Sequence, residues 1–210
     1  SQQNLVFKVS DGVSDATFEH SYTLGVLSII STQGFEEGSG IPTGWSQSTT
    51  TGNGWTISTA SADSGTQSIF SERVNNEPTQ GITNVNSAFL VSEEYNVVSS
   101  EATISFRHSY DFEVYQGLNS DGGIVEISID GGAYQGIDAA GGSIDGHTYT
   151  GTVSQGLQSP IDGQSAWVGN SGGFVTTTIN LPASAEGKSI RLRWHYANDN
   201  LNIEDVDGWY

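Results

Sequence analysis

Apolar residues recur at every second position along most of this chain, and no stretch of helical length carries a 3.6-residue stripe. In the clearest run, Ala102, Ile104, Phe106, His108, Tyr110, Phe112 and Val114 share one parity, and Thr103, Ser105, Arg107, Ser109, Asp111 and Glu113 share the other. Successive side chains of a strand point to opposite faces, so the pattern predicts one buried and one wet face. Val125, Ile127 and Ile129 alternate with Glu126, Ser128 and Asp130 in the same way. Val175, Thr177, Ile179 and Leu181 form a third run, and Ile190, Leu192, Trp194 and Tyr196 a fourth against Arg191, Arg193 and His195. Turn chemistry separates the runs: Asp130-Gly131-Gly132, Leu181-Pro182 and Glu186-Gly187. The chain reads as all-β.

Its first part differs from the rest. Leu5, Phe7 and Val9, an Asp11-Gly12 turn, then Phe18, His20, Tyr22 and Leu24 predict a hairpin, followed by a short apolar stretch from Gly25 to Ile30. A lone hairpin is marginal in water. Residues 1–31 are therefore expected either to end a preceding immunoglobulin-like domain or to be annexed by the sandwich of residues 32–210. Two long loops are expected in that sandwich, Asp111 to Gly123 and Ile137 to Asn170, and loops on a rigid scaffold are where function concentrates.

Composition narrows the partners. The 210 residues include 24 Asp plus Glu against 6 Lys plus Arg, for a formal charge of -18, with 27 Gly and neither Cys nor Met. Such a charge repels phosphate backbones and anionic lipid, which argues against nucleic acid and membrane partners and makes cations the attractive ones. A chain this long buries an ample core without disulfides, and its acidic, Cys-free, Gly-rich usage suits a protein exported from bacteria. No apolar run reaches membrane-helix length, and nothing at the N-terminus has the order of a signal peptide, so an exported chain would already be cut here.

From Gly34 onward several blocks recur in one order. Gly34-Phe35-Glu36-Glu37-Gly38 precedes Pro42, Gly44 and Trp45, and Gly54-Trp55-Thr56-Ile57, Ala62-Asp63-Ser64-Gly65 and Ala88-Phe89-Leu90 follow. The most specific block is Phe106 to Glu113 with Asp121-Gly122-Gly123-Ile124-Val125-Glu126-Ile127-Ser128-Ile129-Asp130-Gly131-Gly132. Pro160-Ile161-Asp162-Gly163-Gln164, Ile190 to Trp194, Asp199 and Asp207-Gly208-Trp209-Tyr210 complete the order. Together these resemble the jelly-roll accessory modules, related in fold to MAM and galactose-binding-like domains, of secreted bacterial metallopeptidases of the immune inhibitor A and fungalysin types. The resemblance covers roughly residues 33–210 and implies an antiparallel jelly-roll β-sandwich. Modules of this kind continue beyond the Gly-Trp-Tyr, so the last strand is expected to be cut short here.

The resemblance also implies calcium, joining the first strand to a following turn and to the chain end: Glu36, the Asp63 turn, Asp205 and Asp207. A second acidic group, Asp111, Glu113 and Asp121, gains Asp199 if the two long strands are neighbours. Calcium takes six to eight oxygens, which three carboxylates and loop carbonyls can supply. Asp205 and Asp207 do not make an EF-hand, because Ile203 holds the first ligand position.

No catalytic constellation emerges. Gly169-Asn170-Ser171-Gly172-Gly173 imitates a serine-protease nucleophile loop, without the histidine block or disulfides that would accompany it. There is no His-Glu-x-x-His. His108 and His195 are read as packing residues. Trp55, Trp194 and Trp209 sit in strand pattern and are expected in the core, whereas Tyr115, Tyr134, Tyr149 and Trp167 fall in loops and are candidates for a ligand platform. The expected function is a non-catalytic, calcium-stabilised accessory domain of a secreted multidomain hydrolase, a metallopeptidase above all. Its partners would be the other domains of the same polypeptide and an extracellular protein or polysaccharide. The alternative is a carbohydrate-binding module of a polysaccharide-degrading enzyme or an adhesin.

Overall fold

A computed structural model describes residues 2–10, 15–23, 31–52, 54–72, 85–199 and 208–210. The chain divides into two compact units, Ser1–Gln33 and Gly34–Tyr210. The first is a hairpin of β1 (Gln2–Ser10) and β2 (Asp15–Thr23), antiparallel, with Leu5 opposite His20 and Phe7 opposite Phe18. The Asp11-Gly12 turn and the stretch from Leu24 to Ile30 lie outside the described residues.

The second unit is a two-layer antiparallel β-sandwich. Its strands in chain order are β3 (Ser46–Thr49), β4 (Trp55–Ser58), β5 (Ser68–Glu72), β6 (Asn86–Val91), β7 (Tyr95–Asn96), β8 (Thr103–His108), β9 (Tyr110–Asp111), β10 (Val114–Tyr115) and β11 (Leu118–Asn119). Then follow β12 (Gly122–Ile129), β13 (Gln135–Gly136), β14 (Ser143–Gly146), β15 (Gly151–Thr152), β16 (Ser165–Ala166), β17 (Val175–Asn180), β18 (Ser189–Asn198) and β19 (Gly208–Trp209). One sheet runs β13-β12-β18-β6-β3, with β7 also on β18. The other joins β14-β17-β8 to β9-β19-β5-β4. Only Ser109 separates β8 from β9, and its backbone exchanges two hydrogen bonds with Tyr210, of 3.0 and 2.8 Å, so the two segments form one layer.

Parity decides which residues meet between the layers. Val125 and Ile127 on β12, with Ile190, Leu192, Trp194 and Tyr196 on β18, pack against Ile179, Tyr110, Phe112 and Trp209 of the opposite side. The Phe106 ring meets Trp194 edge-on at 5.4 Å, and Phe112 stacks on Tyr196 at 5.1 Å. The expected core tryptophans Trp55, Trp194 and Trp209 are buried there.

Gly122 and Gly123 open β12 because the packing leaves no room for a side chain. A Cβ on Gly122 would stand 2.9 Å from Val153 Cγ2, and one on Gly123 would stand 2.6 Å from the Trp209 ring. Neither glycine has a positive φ, so space and not backbone conformation excludes other residues. Gly123→Ala is accordingly expected to destabilise the unit by about 2 kcal/mol through overpacking. Urea unfolding measures this, and an unchanged midpoint would show that Trp209 moves aside freely.

The two expected long loops are organised. Residues 114–119 form the β10-β11 hairpin, closed by Gln116 and Gly117, both with positive φ (50° and 81°), as a tight two-residue turn of twisted strands requires. The second loop contains β14, β15 and β16 and builds a further apolar cluster, in which Val153, Ile161, Ala166 and Val168 pack on Ile124 and Ala197. Those last two occupy the parity of the first sheet opposite to the main core, so this part of the outer face is a second interior.

Candidate metal centre

Strands β12 and β18 pair with Gly122 opposite Ala197, which brings the residue before one strand beside the residues after the other. Asp121 and Asp199 therefore meet, and the Asp199 backbone N–H donates to Asp121 Oδ1 at 3.1 Å. Glu113 arrives through the β10-β11 hairpin, whose base is closed by the Ser120 N–H donating to the Glu113 carbonyl at 3.1 Å. Glu113, Asp121 and Asp199 are all 0% exposed, and each offers a carboxylate oxygen within 4.8 Å of the others. Two unit charges at that separation repel by about 3 kcal/mol at an effective dielectric of about 20, so three buried carboxylates this close favour a shared cation. Ser120 lies opposite Glu113 at the hairpin base. Its hydroxyl is buried and has no hydrogen-bond partner among the described residues.

The other described candidate ligands lie elsewhere. Glu36 is exposed and engaged by a turn: its Oε1 accepts from the Thr66 and Gln67 N–H groups, both at 2.8 Å, and Oε2 accepts from the Thr66 hydroxyl. Those bonds, Gln67 first, hold its pKa below the ordinary carboxylate range. Asp63 forms an ion pair with Arg107. Asp111 sits on β9 opposite Gly208 and bridges Asn170, on the side of its strand opposite the buried Tyr110. Asp205 and Asp207 lie outside the described residues.

Of the four loop aromatics, Trp167 is interior and Tyr149 is half-buried. Trp167 is 0% exposed, its ring contacting His108 at 4.7 Å, Tyr149 at 4.8 Å and Trp209 at 5.6 Å, while its Nε1–H donates to the His147 carbonyl. Tyr149 points inward: its hydroxyl accepts from the Val125 N–H at 3.0 Å, and burial pushes its pKa up. Trp167 cannot serve as a surface platform, because the loop that carries it folds down over the first sheet. Tyr134 is half-buried with the Arg193 guanidinium 4.1 Å from its ring centre. Tyr115 stands on the projecting β10-β11 hairpin with its hydroxyl bonded to Gln116.

The buried histidines are packing residues with defined protons. The Trp209 Nε1–H donates to His108 Nδ1 at 3.1 Å, which leaves His108 Nε2–H to donate to Thr177 Oγ1 at 2.9 Å, and Thr177 to donate to the His147 carbonyl. Burial first, then His147 nearby, lowers the His108 pKa to about 3. His195 bonds Ser87 at 2.9 Å, and burial with Arg193 beside it lowers its pKa to about 4. The Glu126 carboxylate lies 4.0 Å from His195 Nδ1, but desolvation outweighs that attraction. Ser171 of the protease-like loop donates to the Gly173 carbonyl and accepts from the Tyr110 N–H, which is what a turn serine does.

No protein-family model matches this chain, and no curated protein matches it. A solved structure described for the promiscuous specificity of carbohydrate-binding modules of the β-sandwich superfamily is 13% identical, with the whole of this chain covering 70% of that one at a TM-score of 0.42. At that distance no residue role is carried across.

Proposed function

We propose that this chain is a non-catalytic β-sandwich module held together by calcium, accessory to a secreted multidomain hydrolase of the metallopeptidase kind. The observation that supports it is the Glu113, Asp121 and Asp199 cluster. All three groups offer hard oxygens, which suit calcium and not the softer metals that favour imidazole or thiolate. The Ser120 hydroxyl and main-chain carbonyls of the same loops are further oxygen donors of that class. Magnesium fits less well, since it keeps several waters and a strict octahedron, while this cluster is closed off from solvent. Bound calcium would offset the mutual repulsion of the three carboxylates, and it would clamp the base of the β10-β11 hairpin to the ends of β12 and β18.

The test is thermal unfolding in calcium and in chelator. At a hundredfold excess over Kd, binding adds about 2.7 kcal/mol, which raises Tm by about 8 °C for a unit of this size. Asp121→Asn should abolish most of that rise. Identical melting in the two solutions would overturn the metal.

The second reading, a carbohydrate-binding module, is favoured by one observation. Phe70 and Tyr210 stack at 4.2 Å, both half-buried, beside a polar cleft on the outer side of the second sheet. Retention on insoluble polysaccharide would favour this reading, and an upstream His-Glu-x-x-His domain in the parent polypeptide would favour the first.

A further inference from the structure

The cleft beside Tyr210 brings two polar side chains together. Asp111 and Asn170 face each other as an isolated antiparallel bridge, and both line the cleft together with Ser109, Gly173, Gly208 and Tyr210. Among the described residues no group donates a hydrogen bond to the Asp111 carboxylate, and the Asn170 Nδ2 amide has no acceptor, while its Oδ1 is held by the Gly172 N–H at 2.6 Å. Among the described residues, then, an acceptor and a donor on neighbouring backbones are left for a ligand. One aromatic ring, Tyr210, faces this polar cleft; it stacks on Phe70 and has Phe174 at 6.5 Å. The space over Gly173 is open, since a Cβ there would meet nothing within 4 Å.

We propose that this cleft binds one ring of a neutral saccharide, with the ring against Tyr210 and adjacent hydroxyls donating to Asp111 and accepting from Asn170. This deepens the carbohydrate reading and rests on it, but not on the metal. Vicinal hydroxyls are at once donor and acceptor, which is what the Asp-Asn pair complements, and sugar C–H faces pack on aromatic rings. An anion is repelled by Asp111 and by the chain's charge of -18. The cleft, about 210 Å³, suits a single sugar ring and falls below the roughly 300 Å³ at which drug-sized pockets begin.

The experiment is an amide chemical-shift titration of the full chain in saturating calcium with galactose, glucose, mannose, xylose and N-acetylglucosamine, each to tens of millimolar. At least one sugar is expected to shift Ser109, Asp111, Asn170 and Gly173 saturably. Asp111→Asn, which keeps the shape and removes the charge, is expected to weaken that sugar about tenfold, the loss of one hydrogen bond to a charged acceptor. No shift at these residues with any of the five sugars, shifts confined to Tyr115 or Tyr134, or an unaltered affinity in Asp111→Asn would each overturn the site. A calcium-dependent Tm that survives such a failure would leave the calcium-held module standing, whereas loss of both would remove it as well.

Discussion

Lowering the pH from 7 to 5 is expected to cost this protein about 4 kcal/mol of stability, with two buried histidines as the source. Folded-state pKa values of about 3 for His108 and about 4 for His195 lie below the unfolded value near 6.5. A depressed histidine contributes nothing adverse above its unfolded pKa. As the pH falls below 6.5, the unfolded chain takes up protons that the folded chain refuses, so stability drops until the folded pKa is reached. At pH 5 that is about 2 kcal/mol for each histidine, and Tm should fall by about 12 °C. The groups around them fix this sign. His108 is locked as a neutral bridge between Trp209 and Thr177 with His147 close by, and His195 has Arg193 on one side and Glu126 on the other. Melting at several pH values in His195→Gln checks the apportionment, because that variant should lose about half of the slope between pH 7 and 5. A wild-type Tm that is flat over this range would mean that both rings reach water when charged.

Replacing Trp167 by alanine is expected to cost about 4 kcal/mol, the loss of a large buried aromatic with a cavity left behind. The ring sits among Phe106, His108, Tyr149 and Trp209, and the Trp167 backbone pairs with Gly123 of β12. Chemical denaturation reads this directly. A surface sugar platform at Trp167 would give less than about 0.5 kcal/mol on the same substitution, so the experiment separates the two placements.

The contrast shows what periodicity conveys. Phe106, Tyr110, Val125, Ile127, Leu192 and Tyr196 could be assigned to the core because a long strand keeps its parity throughout. Glu113 could not be placed this way: it has the parity of Arg107 and Asp111 in sequence, but the strand ends at Asp111, the chain turns into the hairpin, and the carboxylate goes inside. The nearness of Asp121 and Asp199 was legible only on the condition that two strands pair, and that pairing, with Gly122 opposite Ala197, is a tertiary fact. Trp167 and Tyr149 lie in a segment whose strands have two to four residues, too short for alternation to register. A clue was nevertheless present, since Ile124 and Ala197 put apolar side chains on a face otherwise lined by Glu126 and Arg193. Phe70 and Tyr210 were invisible as a pair because one ring ends a strand that the other joins only through the sheet.

The position of β18 carries a consequence for how the molecule is made. It is the central strand of the first sheet, pairing with β12 along one edge and with β6 and β7 along the other, yet it begins at Ser189. On a ribosome, β6 and β12 emerge long before the strand that will lie between them, and they do not pair with each other. Until Arg193 can reach both Val91 and Glu126, the nascent chain presents two open edges and half of an apolar layer to its surroundings. Closure is thus a late, long-range event, slow by its topology, and the growing chain depends on its acidic charge, or on a holding chaperone, to stay apart from its copies until then.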